Sequence, residues 1–287
     1  MKFCTYRDSE TARIGLVDSD AGAVQPLDFR GDMTELIRRY DRADKVPVAD
    51  GKPIPLGQVQ LLAPVPRPRR NIFCVGKNYR EHAREFSRSG FDVSAQPTED
   101  IPDVPIFFTK PPSAVIGPGV PIDGHYDLTH ELDYEAELAV VIGRGGRAIS
   151  VDRAYDYVWG YTIVNDITAR DLQKRHRQWF LGKSLDGFCP MGPWLVAADE
   201  LVPDDIDLTC WVNGEQRQHA NTRDLIFDIP RLIATLSAGI ALEPGDIIAT
   251  GTPAGVGIGF SPPKFLNSGD EIRIGIAGIG ELVNRVG

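Results

Sequence analysis

The chain has 287 residues, 42% hydrophobic and 25% charged, with 29 glycines and 22 prolines. That composition is ordinary for a folded domain and excludes a collagen, a coiled coil and a low-complexity chain. A net charge of −9 repels phosphate backbones and argues against a nucleic-acid partner, and no run reaches the roughly 18 apolar residues that a membrane helix needs.

The first residues, Met1-Lys2-Phe3-Cys4-Thr5-Tyr6-Arg7, lack the continuous apolar core of a signal peptide, and Cys4, Cys74, Cys189 and Cys210 show no C-x-x-C spacing. Both features lead us to expect a cytoplasmic protein with reduced, packed thiols. Residues 1–66 alternate short apolar runs with turn residues and hold a short amphipathic helix near 33–40. Pro64, Pro66 and Pro68 block both helix continuation and central strand pairing. We therefore expect a linker here, with a small N-terminal α/β domain at 1–66 and the main domain at 67–287.

Beyond the linker the signals are mostly β. Buried-strand runs occur at 72–75, 106–109, 138–143 and 161–164, and Gly245-Asp246 and Gly269-Asp270 form turns that feed further strands. Ile272, Ile274 and Ile276 alternate with Arg273 and Gly275, the period of a half-buried strand. One helix is expected from Asp228 as N-cap, with Ile229, Leu232, Ile233 and Leu236 on one face and Gly239 as the stop. A second is expected to start after Asp166 and run through Thr168 to Arg175. The main domain reads as mixed β with short helices around it.

Several of these segments carry chemistry. In Asp133-Tyr134-Glu135-Ala136-Glu137, leading into a core strand, Glu135 and Glu137 project to the same face. Adjacent carboxylates there repel unless a cation or a shared proton relieves them. Asp166 ends the strand at 161–164, a position that by itself suits a helix N-cap. His82 and Glu85 are three apart, on one face if that piece is helical, and a carboxylate beside an imidazole is what a general base requires. Lys183, taken alone, reads as an ordinary surface lysine. The loop Thr250-Gly251-Thr252-Pro253-Ala254-Gly255-Val256-Gly257 lacks the Gly-Lys-Ser/Thr ending of a phosphate-binding loop, but its amides could grip a carboxylate or oxyanion.

Together these segments resemble the fumarylacetoacetate hydrolase family. Gly76-Lys77-Asn78-Tyr79 leading to His82 and Glu85, Phe107-Phe108-Thr109-Lys110-Pro111, Asp133-Tyr134-Glu135-Ala136-Glu137, Asn165-Asp166, Lys183-Ser184 and Thr250-Gly251-Thr252-Pro253 occur in the family's order. The resemblance implies a mixed β (α+β) fold, a β-sandwich or roll of the family's C-terminal type with a small N-terminal domain, and a homodimer. It implies Glu135, Glu137 and Asp166 as metal ligands, His82 and Glu85 as the water-activating dyad, Lys183 as the active-site lysine and Thr252 as a substrate contact. The segment 86–106 is longer than in the compact acylpyruvate hydrolases and would be a lid.

Three carboxylates without Cys or His make a hard oxygen site suited to Mg²⁺ or Mn²⁺. Against one dication they leave one negative charge, so an anionic 2-oxo acid needs added positive charge, for which Lys183 is the natural donor. The resulting expectation is a metal-dependent hydrolase that cleaves a C–C bond in an acylpyruvate-like 2,4-dioxo acid of aromatic catabolism. An isomerase or decarboxylase of a 2-hydroxy-dienoate or oxaloacetate-like acid uses the same enolate and is the alternative. A non-catalytic ligand-binding member is less favoured, because binding alone needs no general base.

Overall fold

The computed structural model describes residues 1–8, 11–46, 51–91 and 101–287. Strands β1 (Lys2–Arg7), β2 (Ala12–Asp18) and β3 (Ala23–Pro26) precede helix α1 (Met33–Arg39). Next come β4 (Ile72–Gly76), α2 (Arg80–Arg88), β5 (Ile106–Lys110), β6 (Ala136–Ile142) and β7 (Val158–Asn165). They are followed by α3 (Arg170–His176), α4 (Phe180–Lys183) and β8 (Cys189–Ala197). The chain closes with β9 (Asp207–Val212), β10 (Glu215–Asn221), α5 (Ile229–Ser237), β11 (Ile247–Ala249), β12 (Glu271–Ile276) and β13 (Gly280–Arg285).

The larger sheet runs β3-β2-β1-β8-β7-β6-β11-β4-β5, antiparallel except between β11 and β4. The smaller runs β10-β9-β12-β13, antiparallel throughout. Strand β6 is central and buried along its whole length, which explains why its sequence is apolar without interruption from Leu138 to Ile142. Its Leu138, Val140 and Ile142 meet Leu208 and Cys210 of β9, Ile272 and Ile274 of β12 and Leu232 and Ile233 of α5. Its Ala139 and Val141 point the other way, into a cluster with Phe3, Ile14, Trp159 and the α1 residues Met33, Leu36 and Ile37. The two sheets therefore pack face to face, as the expected mixed β-sandwich requires.

The N-terminal strands extend the larger sheet, because β1 pairs with β8 through Lys2↔Val196 and Phe3↔Leu195. The proline-rich stretch is packed beside them. Ala63 and Val65 are buried in the α1 cluster, and the Thr5 hydroxyl donates to Pro64 O at 2.7 Å.

Helix α5 begins where its sequence predicts, with the Asp228 side chain accepting from Arg231 N at 2.8 Å. It ends at Ser237, so Gly239 lies just past the Ala238 cap. The other predicted helix is displaced. Thr168 and Ala169 pair as a short strand with Asp133 and Leu132, and Arg170 N donates to Glu131 O. The helix starts only at Arg170, with Ala169 as its N-cap. Strand pairing to the segment that carries the glutamates thus overrides the local helical pattern, and Asp166 is not a helix cap. Among the described residues, no helix is long and apolar enough to cross a membrane.

Candidate active site

Glu135 and Glu137 stand two apart at the head of β6, and Asp166 follows the end of its neighbour β7. The register Ala136↔Asn165 and Glu137↔Val164 brings these ends together. Two bonds lock the corner: Glu135 N donates to Asn165 Oδ1 at 2.9 Å and Asp166 N to Glu135 O at 2.8 Å. All three carboxylates are buried, and one oxygen from each lies within 4.8 Å of the others. An all-oxygen, buried, like-charged cluster of this size suits a hard divalent cation.

Buried cations surround the cluster. Lys183, at the end of α4, is not a surface lysine. It is buried, and its ammonium donates to Glu135 Oε2 at 2.8 Å, Asp166 Oδ2 at 2.7 Å and Thr168 Oγ1 at 2.8 Å. Lys110, at the end of β5, is a site residue that sequence reasoning missed. It donates to Asp166 Oδ1 at 2.5 Å, to Ile167 O at 3.0 Å and to the Lys183 carbonyl. Arg170, also missed, places Nε 2.9 Å from Asp133 Oδ2 and Nη2 2.7 Å from Glu135 Oε1. Only Lys110 had a signal in the sequence, as part of the Phe-Phe-Thr-Lys-Pro segment.

The electrostatics follow from these contacts. Burial, with Asp166 and Glu135 nearby, pushes the Glu137 carboxyl well above the usual range. Burial also pushes Glu135 up, but Lys183 and Arg170 outweigh it and hold that carboxyl at about 2. For Lys183, burial lowers the ammonium's pKa and the charges of Asp166 and Glu135 raise it further, for a net rise. Counting both lysines corrects the charge balance drawn from sequence. With all three carboxylates ionised, as a bound dication would require, they and two ammoniums leave one negative charge, which the dication would convert to one positive charge, favourable to an anionic ligand.

His82 and Glu85 do share a face of α2, with His82 Nδ1 3.1 Å from Glu85 Oε2. The glycine-rich loop serves the protein's own carboxylates. Gly251 N donates to Glu137 at 2.8 Å, Gly255 N to Glu85 Oε1 at 3.0 Å and Gly257 N to Asp133 at 2.6 Å. Thr252, in the same loop, accepts from Gln218 Nε2 at 2.8 Å. One small cavity joins the parts, with His82, Glu135, Lys183 and Thr252 on its wall beside Arg170, Lys77, Phe86, Phe108 and Trp179. Glu137, Asp166 and Glu85 are not on the wall itself: Asp166 accepts from Lys183, Glu85 pairs with His82, and a Glu137 oxygen lies within 4.8 Å of one of Glu135. In the segment 86–106, residues 92–100 lie outside the described residues, while Phe91 packs on Phe265 at 6.3 Å between ring centroids.

The dyad is tightly seated. A Cβ on Gly259 would come 1.8 Å from Glu85 Oε1, so Gly259→Ala must displace the carboxylate that orients His82. We expect kcat to fall about tenfold with KM and melting temperature little changed. Steady-state kinetics and a melting curve check this, and an unchanged kcat would show that Glu85 does not need this position.

The fold and this site define a class. The chain belongs to the fumarylacetoacetate hydrolase family, whose C-terminal family model, described as fumarylacetoacetate (FAA) hydrolase C-terminal, matches residues 71–287. It is similar to oxaloacetate tautomerase YisK of Bacillus subtilis (strain 168), 56% identical over 233 residues that span 81% of this chain and 74% of that protein. Among solved structures it is similar to the fumarylacetoacetate hydrolase of psychrophilic Exiguobacterium antarcticum, with a TM-score of 0.86, 43% identity, and coverage of 100% of this chain and 99% of that one. It is also similar to maleylpyruvate hydrolase from Sphingobium sp. SYK-6 in complex with manganese (II) ion and pyruvate, with a TM-score of 0.77, 34% identity, and coverage of 100% and 98%. The family thus comprises enzymes of more than one reaction type.

Proposed function

We propose that the protein is a divalent-cation-dependent tautomerase that interconverts the keto and enol forms of an oxaloacetate-like 2-oxo dicarboxylic acid. The observation that carries this reading is that His82 and the Glu135 edge of the carboxylate cluster open on one cavity. A base and a cation site therefore address the same small ligand. The 56% identity to an oxaloacetate tautomerase favours tautomerisation over the C–C bond hydrolysis that the sequence alone puts first. Hydrolysis of an acylpyruvate remains the second reading, supported by the likeness to a maleylpyruvate hydrolase and by the dyad's capacity to activate water.

Glu135, Glu137 and Asp166 would hold Mg²⁺ or Mn²⁺, which when bound supplies Lewis acidity toward the ligand's oxygens. The protein's own groups do the rest. With Nδ1–H donated to Glu85, His82 keeps Nε2 as the acceptor that takes a proton from C3, and the same imidazolium returns it to the C2 oxygen, so the enol forms with no net change in protons. Thr252 already accepts from Gln218, so its O–H is left to donate to the ligand. Lys183 and Lys110 balance the carboxylates, and Phe86, Phe108 and Trp179 give the cavity apolar walls that limit water.

The test is a panel run with Mn²⁺ and with Mg²⁺: oxaloacetate keto–enol conversion by ultraviolet absorbance, pyruvate release from acylpyruvates, and CO₂ release from oxaloacetate. Tautomerisation is expected to be fastest. Oxalate, planar and unreactive, is expected to inhibit competitively, more tightly than pyruvate and only with the cation present. Faster acylpyruvate cleavage would establish the second reading. No activity on any of these, with oxalate no better than acetate, would remove both.

A further inference from the structure

The cavity shared by His82 and the carboxylate cluster holds only about 290 Å³ of empty space. Clefts that take drug-sized ligands run from roughly 300 to 1,000 Å³, so this one suits an acid of a few carbons. With the 2-oxo carboxylate end directed at Glu135 and Lys183, the apolar part of the wall limits the rest of the ligand. That part is Phe86, Phe108 and Trp179.

Phe86 belongs to α2 and Phe108 to β5, whereas Trp179 comes from the short connection between α3 and α4. Every residue from Lys174 to Leu181 is exposed except Trp179, so this is the one side chain that the surface stretch turns inward. The main chain is shaped to do so. Arg177 has φ at +59°, a left-handed conformation uncommon for a residue with a side chain, and Gln178 N donates to His176 O at 2.6 Å across a three-residue turn. Inside, the indole meets both rings edge-on, the arrangement aromatic pairs favour. Its centroid lies 5.9 Å from that of Phe86 with the planes at 83°, and 5.4 Å from that of Phe108 at 75°. Its third neighbour is Gly76, where a Cβ would lie 2.1 Å from the ring. The lack of a side chain at 76 is what lets the indole reach this depth. A half-buried ring held by three neighbours thus stands between the cavity and the surface.

We propose that Trp179 plugs the outer side of the cavity and so fixes ligand length, admitting short 2-oxo acids and excluding those with a bulky acyl or aryl group at C3. The assignment rests on the tautomerase reading and adds to it the residue that shuts out larger acylpyruvates. Trp179 is a specificity residue, separate from the His82–Glu85 pair and from the carboxylate cluster.

The experiment is calorimetric binding to the Mn²⁺-loaded protein of oxamate, N-ethyloxamate and N-benzyloxamate. These share one chelating head, carry nitrogen in place of C3 and differ only in the tail. In wild type, affinity should fall about tenfold or more from oxamate to N-benzyloxamate, the scale on which a shaped pocket discriminates added carbons. Trp179→Ala should recover most of that loss, with oxamate itself changing less than about threefold on the same scale. Trp179→Leu keeps more of the packing; it should recover the loss in part and serves if the alanine variant does not fold. Trp179→Phe retains an edge-on ring and should keep the wild-type order. N-Benzyloxamate bound by wild type as tightly as oxamate, or excluded from the folded Ala or Leu variant as fully as from wild type, overturns the assignment while leaving the tautomerase reading in place. If wild type binds none of the three, that reading fails and the assignment with it.

Discussion

EDTA treatment is expected to abolish turnover of 2-oxo acids, and Mn²⁺ or Mg²⁺ to restore it, with Glu137 as the ligand whose loss is most informative. Gln at this position keeps the shape and an oxygen to accept from Gly251 N. It removes a charge from the place where burial, Asp166 and Glu135 already disfavour one. Glu137→Gln should therefore melt no lower than wild type in cation-free buffer. With Mn²⁺ the order should reverse. A cation at about 100 times its Kd stabilises the wild-type fold by about 2.7 kcal/mol, whereas the variant should bind it about 10²-fold more weakly or worse. Thermal melts with and without Mn²⁺, beside an activity assay, read both effects. Full activity in cation-free buffer, or the same Mn²⁺ shift in both proteins, would remove the cluster from the mechanism.

His82→Ala should lower tautomerisation by about 10²-fold or more, the usual scale for a general base. Any hydrolysis of a 2,4-dioxo acid should fall comparably, because water activation also needs the imidazole. KM should change little, since the lost group moves a proton and does not anchor the ligand. Decarboxylation of oxaloacetate should suffer least, as no proton need be taken from C3. Rates of all three on one variant preparation decide the matter, and equal losses, decarboxylation included, would make His82 a structural or binding residue.

The parts of this site written in short range were readable from sequence. Glu135 and Glu137 are two apart on a strand, and His82 and Glu85 three apart on a helix, so backbone periodicity alone fixes their faces. Asp166 was legible as the end of a buried strand, yet its partnership with Glu135 depends on the β6–β7 register, which no local pattern displays. Lys110 and Arg170 were missed for the same reason. Lys110 reaches Asp166 from 56 positions away and Arg170 reaches Asp133 from 37, so only the folded sheet shows that their charges are used. Lys183 carried no sign of burial in its own segment. The strand at Thr168–Ala169 looked helical because its pairing partner, Leu132–Asp133, lies far back in the chain. Packing was legible where one strand decides it, as in β6, and hidden where distant elements meet.

The glycine-rich loop spans only a few residues, yet its amides bind Glu137, Glu85 and Asp133. An acid of the carboxylate cluster, the partner of His82 and the counter-ion of Arg170 are thus fastened to one stretch of main chain. Drift in this loop would disturb the carboxylate cluster, the His82–Glu85 pair and the buried Asp133–Arg170 ion pair at once, so a change there does not adjust one without the others. Divergence in substrate among descendants of this scaffold is instead open on the cavity wall, at positions such as Trp179. Directed evolution toward a new 2-oxo acid should accordingly accumulate its changes there and leave residues 250–257 alone.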